Sequence, residues 1–184
     1  KDEEYDASSF SNTIYRFTIK DYTENPDKWQ IDSNGRFFSN TQVLIDGKPA
    51  AQVFTTASGV QMTAKDSTST GFYYKQLKAP ADTGSFKSDT TIYINYVGKL
   101  LNGLVFDTNI ERVAKDNHLY SAGKKYEPMR INWGEEYTDM TMGSDKSSMI
   151  SGFAKTLWQM KAMEKGVGVF YSSLGYGYSG SGSS

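Results

Sequence analysis

The chain has no cysteine and only one histidine, His118, among its 184 residues. Without a thiol, the sequence excludes disulfides, thiolate nucleophiles and cysteine zinc sites. A serine–histidine–carboxylate triad would have to use His118, which lies in the polar stretch "KDNHLY" and is better explained as a solvated loop residue. No glycine-rich segment has the spacing of a phosphate-binding loop. What remains is chemistry that needs neither a thiol nor a cluster of histidines.

The chain also lacks an excess of one charge and long hydrophobic runs. Its 20 basic and 21 acidic residues are mixed along the sequence and leave a net charge of −1, so we expect no nucleic-acid partner. No apolar run approaches the ~20 residues that a helix needs to cross a bilayer. The length of 184 residues predicts one domain, or one domain with an appendage.

Aromatic residues are abundant, with 13 Tyr and 10 Phe, and Gly, Ser and Thr are common. This composition favours strands and turns over a helical bundle. From Gly71 onward the pattern becomes clear, because "GFYYKQLKAP" and "TTIYINYVGKLL" both predict strands. In the second, Ile92, Ile94 and Tyr96 alternate on one face. Asn102-Gly103 predicts a hairpin turn, and "GLVFD" predicts its return strand.

Residues 1–70 are predicted to be an N-terminal extension without chemistry of its own. Pro26 can begin a short helix in "PDKWQIDSNGRFF", because proline needs no hydrogen-bond partner at a first helical position. The stretch "TQVLIDGKPAAQVFTT" predicts a strand, an Asp-Gly turn and a second strand. We expect this extension to pack on the outer side of the following domain or on a neighbouring chain.

The segment between residues 108 and 148 is long, polar and weakly patterned, with one candidate strand in "YEPMRINWG". An amphipathic helix is predicted after it, with Ser151 as a candidate cap. Its apolar residues recur at i, i+3, i+7 and i+10: Ile150, Phe153, Leu157 and Met160. "VGVFY" then predicts a strand that leads into the aromatic, glycine-rich loop "LGYG".

In this order, the segments "NYVGKLLNGLVFD", "MISGFAKTLWQMK" and "LGYG" resemble the FKBP-type peptidyl-prolyl cis–trans isomerases. The resemblance covers residues 71–184. It implies an α+β fold in which a curved antiparallel β-sheet wraps over one short α-helix, with an apolar hollow between them. The strand that closes the sheet in the family is not found before Ser184, so we expect this domain to lack it.

The resemblance also implies a set of site residues. Those matched to the catalytic pocket are Tyr96, Phe106, Asp107, Phe153 and Tyr176. Those matched to the substrate-binding rim are Met129, Met149 and Ile150. In the family the acid orients groups around the pocket and is not a nucleophile, and the backbone amide at the position of Ile150 holds the substrate carbonyl. The departures from the family pattern include Met163, which replaces a usual glycine, and Gly168, which replaces an apolar core residue.

The implied activity is rotation about X-Pro peptide bonds. That rotation must overcome ~18–20 kcal/mol, whereas the two isomers differ by only about 0.5–1 kcal/mol, so either can be substrate or product. The resemblance implies no cofactor and no metal. Its implied partners are proline-containing polypeptides, with macrolide-type inhibitors as a further ligand class. It also implies a secreted protein that assists folding, lipid-anchored in the bacterial cell envelope or periplasm. The oligomeric state is left open.

Two alternatives to the enzyme stay open. One is a catalytically weak FKBP-like module that binds peptides or acts as a chaperone. The other is a structural or surface-binding domain whose pocket is vestigial. The complete set of pocket rings argues against the vestigial pocket, but the sequence does not separate the enzyme from the binding module.

Overall fold

A computed structural model describes residues 26–55 and 71–177. The helices in these residues are α1 (Pro26–Phe38), α2 (Ala50–Val53), α3 (Glu111–Asp116) and α4 (Ser151–Trp158). The strands are β1 (Leu44–Ile45), β2 (Lys48–Pro49), β3 (Phe72–Lys78), β4 (Thr91–Ile94), β5 (Val97–Lys99), β6 (Val105–Thr108), β7 (Met129–Asn132), β8 (Thr141–Met142), β9 (Ser147–Ser148) and β10 (Lys165–Phe170). Short 3-10 helices cover Tyr137–Asp139 and Ser172–Leu174.

Every strand pair is antiparallel, and the class is α+β, as predicted. Instead of one sheet over one helix, the described residues form four sheets and four helices. The sheets are β1–β2, β10–β3, β4–β7–β8–β9 and β5–β6. The chain leaves the ladder between β4 and β5 because the Tyr96 amide donates to the Asn109 side chain. Irregular register at Gly98/Lys99 and at Lys165/Gly166 interrupts the pairing further.

Helix α1 begins at Pro26, as the sequence predicts, and continues through Gly35 to Phe38. The residues it buries lie at helical spacing along one face: Gln30, Asn34, Phe37 and Phe38. A glycine in a helix interior costs only about 1 kcal/mol relative to alanine, so burial of this face outweighs the effect of Gly35.

The Asp46-Gly47 turn joins β1 and β2 as predicted, with both residues at positive φ (51° and 78°), as a two-residue hairpin requires. The second predicted strand is wrong beyond Pro49, because residues Ala50–Val53 form helix α2. The Ala50 amide donates to the Val43 carbonyl, and the Phe54 amide donates back to Ala50 at 2.9 Å. These bonds turn the alanine-rich segment into a helical turn, for which alanine has the best propensity.

Residues 26–55 pack against the β3–β10 sheet. Their buried side chains are Phe37, Phe38, Val43, Ala50, Val53 and Phe54, which join Tyr73 from β3 and Val169 from β10 in one apolar cluster. The ring centroid of Phe38 lies 4.6 Å from that of Tyr73, an edge-on contact. The N-terminal residues that the structure describes therefore share a core with the strands that follow Gly71.

A second apolar cluster lies between α4 and the four-stranded sheet. Its buried members are Ile131, Trp133, Met140 and Leu157, and Phe153 and Met160 pack against them. These contacts come from the apolar face predicted for α4. Ile150 lies just before the helix as its N-cap residue, so the prediction that Ser151 caps it is wrong.

Helix α4 also packs closely on β10 at two glycines. A Cβ atom at Gly152 would meet the Phe170 ring, and one at Gly168 would meet the Thr156 side chain. The Thr156 hydroxyl donates to the Gly152 carbonyl at 2.7 Å, and both its hydroxyl and its methyl group lie against Gly168. Gly168 therefore leaves room for Thr156.

The weakly patterned segment 108–148 is more regular than its sequence indicates. It contains α3, β7, the 3-10 helix at Tyr137–Asp139, β8 and β9, of which only β7 was predicted. Short elements of two to six residues carry too little periodicity to be recognised from sequence. None of the helices described here has the length and apolarity to span a membrane.

Candidate functional site

Tyr96 lies in the break between β4 and β5, and two side chains from the end of β6 hold its backbone. Its amide donates to the Asn109 Oδ1 atom at 2.9 Å, and its carbonyl accepts from the Thr108 hydroxyl at 2.7 Å. The Asn109 amide group also donates to the carbonyls of Ile94 (2.8 Å) and Glu127 (3.1 Å). Both Thr108 and Asn109 are buried. The strand-to-strand break is therefore rigid, and the Tyr96 side chain has a fixed origin.

Asp107 accepts hydrogen bonds from three donors. The Tyr96 hydroxyl donates to Oδ2 at 2.6 Å, and the Lys124 ammonium donates to Oδ1 at 2.8 Å. The backbone amide of Thr108 also donates to Oδ1 at 2.8 Å. A carboxylate beside aromatic rings needs such donors, because an unpaired buried charge would be costly. The resemblance singled out both Tyr96 and Asp107 as site residues, whereas Lys124 was not recognised from the sequence.

Partial burial by itself would raise the pKa of the Asp107 carboxyl. The hydrogen bonds from Lys124 and Tyr96, the Lys124 charge and the Thr108 amide outweigh burial, so the pKa lies below its ordinary 3.8. Burial, then the hydrogen bond to Asp107 and the charge of that carboxylate, raises the pKa of the Tyr96 phenol well above its ordinary 10.0. At neutral pH the proton therefore stays on Tyr96, which donates to an ionised Asp107.

Two edge-on ring pairs flank this hydrogen bond. The Tyr96 and Phe153 ring centroids are 5.6 Å apart at 67°, and those of Phe106 and Tyr176 are 6.3 Å apart at 84°. The Phe106 ring lies over Gly98, where a Cβ atom would come within 2.8 Å of it. We call Tyr96, Phe106, Asp107, Phe153 and Tyr176 the ring site. Phe106 and Tyr176 are 39% and 45% exposed, so this side of the ring site is open to solvent.

The predicted rim residues take different positions. Met129 and Met149 pack, with Phe153, against the apolar cluster beneath α4. Ile150 is half-buried and belongs to neither cluster in the described residues. Its backbone amide donates no hydrogen bond within the part of the chain that the structure describes. An amide at a helix N-terminus without a partner can bind a carbonyl oxygen.

A separate depression of about 110 Å³ lies at the N-terminus of α4. Its lining residues are Tyr137, Thr138, Met140, Ser148, Met149, Ser151 and Ala154. Only Met149 belongs to the predicted site residues, so this depression is distinct from the ring site.

His118 has a structural role in the cap of α3. It follows the C-cap residue Asn117 with φ of 58°, and its amide donates to the Lys115 carbonyl at 3.2 Å. The Leu119 amide donates to the Ala114 carbonyl at 2.8 Å, which completes a Schellman motif. Across residues 26–55 and 71–177, no three His, Asp or Glu side chains come together as a possible metal site.

Three residues of the site were not recognised in the sequence: Thr108, Asn109 and Lys124. The first two follow Phe106-Asp107 directly in "FDTN", and two polar residues at the end of a buried strand were a usable signal. Lys124 is 17 residues from Asp107, and nothing in the local pattern points to their contact.

Comparison with known proteins returned no matching family model, no matching curated protein and no matching solved structure.

Proposed function

We propose that this protein is an FKBP-type peptidyl-prolyl cis–trans isomerase that acts on proline-containing polypeptides. The observation that carries the proposal is the hydrogen bond from Tyr96 to Asp107 beside the Phe153 ring. Tyr96, Phe106 and Asp107 belong to one hairpin, whereas Phe153 and Tyr176 come from later parts of the sequence and contact Tyr96 and Phe106. Three segments chosen by motif would rarely converge in this way if the motif matches were accidental.

An FKBP-like fold is part of the same proposal. It is supported by α4, which contacts β10 through Gly152 and Gly168 and contacts the four-stranded sheet through Leu157. Antiparallel strands therefore lie on more than one side of this helix. The separate sheets are interpreted as parts of one curved surface that is interrupted at its bulges.

The proposed chemistry lowers the cost of twisting an amide. A planar amide is stabilised by charge separation that is lost in the twisted state, so an apolar surface that excludes water favours the twisted state. Phe153 and Tyr96 provide such a surface for the proline ring. Asp107 holds the Tyr96 ring in position by accepting from its hydroxyl. Contacts that are better in the twisted state than in the planar one raise the rate in both directions.

Two groups are available to hold the substrate backbone. The Ile150 amide, which has no hydrogen-bond partner in the described residues, would donate to the substrate carbonyl. The Tyr176 hydroxyl lies on the open side of the ring site and would donate a second hydrogen bond. Neither interaction involves a covalent intermediate or a net proton transfer.

The test is the rate of cis–trans exchange of a short X-Pro peptide, measured by NMR exchange spectroscopy with and without the full chain. Tyr176→Phe keeps the ring and removes one hydroxyl, and we expect about a tenfold loss of kcat/KM, equivalent to about 1.4 kcal/mol. Asp107→Asn should fall in the same range. Phe153→Ala should lose most activity, but truncating a packed Phe can cost up to about 3–5 kcal/mol of stability, so the folding of this variant is checked first although Phe153 is only partly buried.

Matched variants separate site effects from general ones. Tyr93→Phe removes a hydroxyl from a β4 tyrosine that is 67% exposed, and its activity should be unchanged. Phe86→Ala removes a ring from the same apolar cluster as Phe153, but outside the ring site. A folded wild type that gives no rate enhancement would rule out the enzyme.

The exposure of Phe106 and Tyr176 favours a second candidate, an FKBP-like module that binds peptides with little or no catalysis. Such a module would hold a proline peptide on the open rings without enclosing it. Saturable binding of the peptide, lost in Phe153→Ala but not in Phe86→Ala, without faster exchange would support this candidate.

A further inference from the structure

Lys124 reaches Asp107 from a turn that is fastened internally. The turn closes where the Lys124 amide donates to the Ser121 carbonyl at 3.1 Å. The Tyr126 hydroxyl accepts from the Ser121 amide at 2.9 Å and donates to the Leu119 carbonyl at 3.4 Å. One tyrosine hydroxyl therefore bridges both ends of the turn that presents Lys124.

Stacked side chains brace the same turn. The rings of Tyr120 and Tyr126 are stacked, with centroids 5.5 Å apart at 14°. The Lys115 ammonium lies 4.8 Å from the Tyr120 ring centroid, and the Lys124 ammonium lies 5.8 Å from that of Tyr126. Glu111 in α3 pairs with Lys115 at 2.5 Å. A continuous series of contacts thus links α3 to the ring site.

Both ends of this segment are anchored. The Schellman motif around His118 fixes its start, and Asn109 fixes its end by donating to the Glu127 carbonyl at 3.1 Å. Asn109 also holds the backbone of Tyr96. The buried side chain of Asn109 therefore fixes both the end of this segment and the backbone of Tyr96.

We propose that residues 117–126, which we call the Lys124 arm, are a positioning element that holds the Asp107 carboxylate in place for the Tyr96 hydroxyl. Lys124 is a positioning residue, since it acts through Asp107. The catalytic consequence of this inference rests on the proposed isomerase function, whereas the positioning itself does not.

Exposure of the ion pair argues against a purely stabilising role. The Lys124 and Asp107 side chains are 41% and 38% exposed, and ion pairs this exposed usually add little to fold stability. A free lysine loses much rotamer freedom when it is held in one geometry. Because the closed turn already restricts Lys124, less rotamer freedom is lost when the ion pair forms. The Asp107 carboxylate therefore faces a charge in a fixed position.

Within residues 26–55 and 71–177, the groups that face Asp107 are few. They are the Lys124 ammonium, the Tyr96 hydroxyl and the Thr108 amide. Of these, only Lys124 carries a full charge. Removing it should free Oδ1, raise the pKa of the Asp107 carboxyl and loosen the Tyr96 ring.

The experiment measures the Asp107 pKa by carbon-13 NMR of side-chain carboxyls in the full chain. Lys124→Met should raise that pKa by about one unit, a tenfold change in the proton affinity. Lys124→Arg keeps the charge and should restore most of the wild-type value. Tyr126→Phe removes the hydroxyl that bridges the turn and should give an intermediate pKa.

Lys125→Met is the matched control, because it removes the same charge from the next residue. Lys125 makes no ion pair or hydrogen bond within the described residues, so the Asp107 pKa should stay at the wild-type value. An unchanged Asp107 pKa in Lys124→Met, or an equal rise in Lys125→Met, would overturn the positioning role.

Isomerase kinetics provide the second readout. Lys124→Met should lower kcat for an X-Pro peptide about three- to tenfold with a smaller change in KM. It should also shift the acid limb of the pH profile to higher pH. Lys124→Arg should rescue both. A raised Asp107 pKa with unchanged kcat and pH profile would overturn the catalytic consequence. If the wild type shows no isomerisation, the proposed function fails while the NMR titration still decides the positioning role.

Discussion

At the scale of single residues, Asp107 is the most heavily bonded side chain of the ring site. Its charge is balanced by Lys124, and its second oxygen orients Tyr96. Because these donors favour the ionised form, the pKa of Asp107 is lowered. A lowered carboxyl pKa links stability to pH: the contribution is complete above the unfolded pKa and is lost as pH falls through the folded one.

Asp107→Asn should therefore lower the free energy of unfolding at pH 7, with a difference from wild type that shrinks below the ordinary pKa of 3.8. The side chain is 38% exposed, so we expect less than about 1 kcal/mol at pH 7. Urea unfolding at pH 7, 5 and 3 measures it. Asp116→Asn, which removes a carboxylate that is 65% exposed, is the reference for losing one negative charge. A difference that persists unchanged at pH 3 would contradict the linkage.

At the scale of elements, the turns that follow α3 and α4 each place a residue with a side chain in the left-handed conformation that glycine prefers. In α3, a histidine takes the left-handed position that usually belongs to glycine. In the turn after α4, Met163 likewise has φ of 60° where the resembling family usually has glycine. Both residues occur in conformations that are less favourable for side chains with a Cβ atom.

His118→Gly should stabilise the protein by about 0.5–1 kcal/mol. Relief of the left-handed strain, about 1–2 kcal/mol, exceeds the extra entropy that glycine adds to the unfolded chain, about 0.4–1 kcal/mol. Urea unfolding of His118→Gly and His118→Ala measures the effect, since alanine removes the imidazole but keeps the Cβ atom. Equal stability of the two variants would show that the strain is absent.

Gly168→Ala should destabilise the protein by about 1–3 kcal/mol, because its Cβ atom would press on Thr156 and separate α4 from β10. The loss should be smaller in a Thr156→Ala background, and a double-mutant cycle gives that coupling. Gly123→Ala is the control, since a Cβ atom there meets nothing within 4 Å. Additive effects of Gly168→Ala and Thr156→Ala would contradict the close packing.

At the scale of the whole molecule, the two apolar clusters have different neighbours. The cluster around Phe38 joins residues 26–55 to β3 and β10, whereas the cluster beneath α4 includes Phe153 of the ring site. Gln30 in α1 links the N-terminal residues to the loop of Tyr176, because its Oε1 atom accepts from the Ser172 amide at 2.9 Å and from the Ser172 hydroxyl at 3.1 Å. Stability and substrate binding should therefore be largely separable.

Phe38→Ala tests this separation. Phe38 is fully buried in a cluster that contains none of the ring-site residues, and its truncation should cost about 3–5 kcal/mol of stability. The affinity of the folded variant for a proline peptide should stay within about twofold of wild type. Both are measured at a temperature where the variant is folded. Loss of affinity without loss of stability would show that the N-terminal residues belong to the binding site.

The sequence by itself determined the local elements of this protein. Pro26 begins α1, Asp46-Gly47 turns between β1 and β2, and the face of α4 follows a helical period. Each depends on residues within a few positions of one another, where backbone preference and periodicity act. The segment "NYVGKLLNGLVFD" also placed Tyr96 and Asp107 in one candidate site, because it contains both.

Only the tertiary structure decided the remaining features. Ala50–Val53 forms a helix because carbonyl groups of the preceding residues accept hydrogen bonds from its first amides. The break at Tyr96 depends on Asn109, which is 13 residues away, and the charge on Asp107 is balanced by Lys124, which is 17 away. These contacts form only when the chain folds back on itself. Local sequence preferences do not specify which distant residue a side chain will contact.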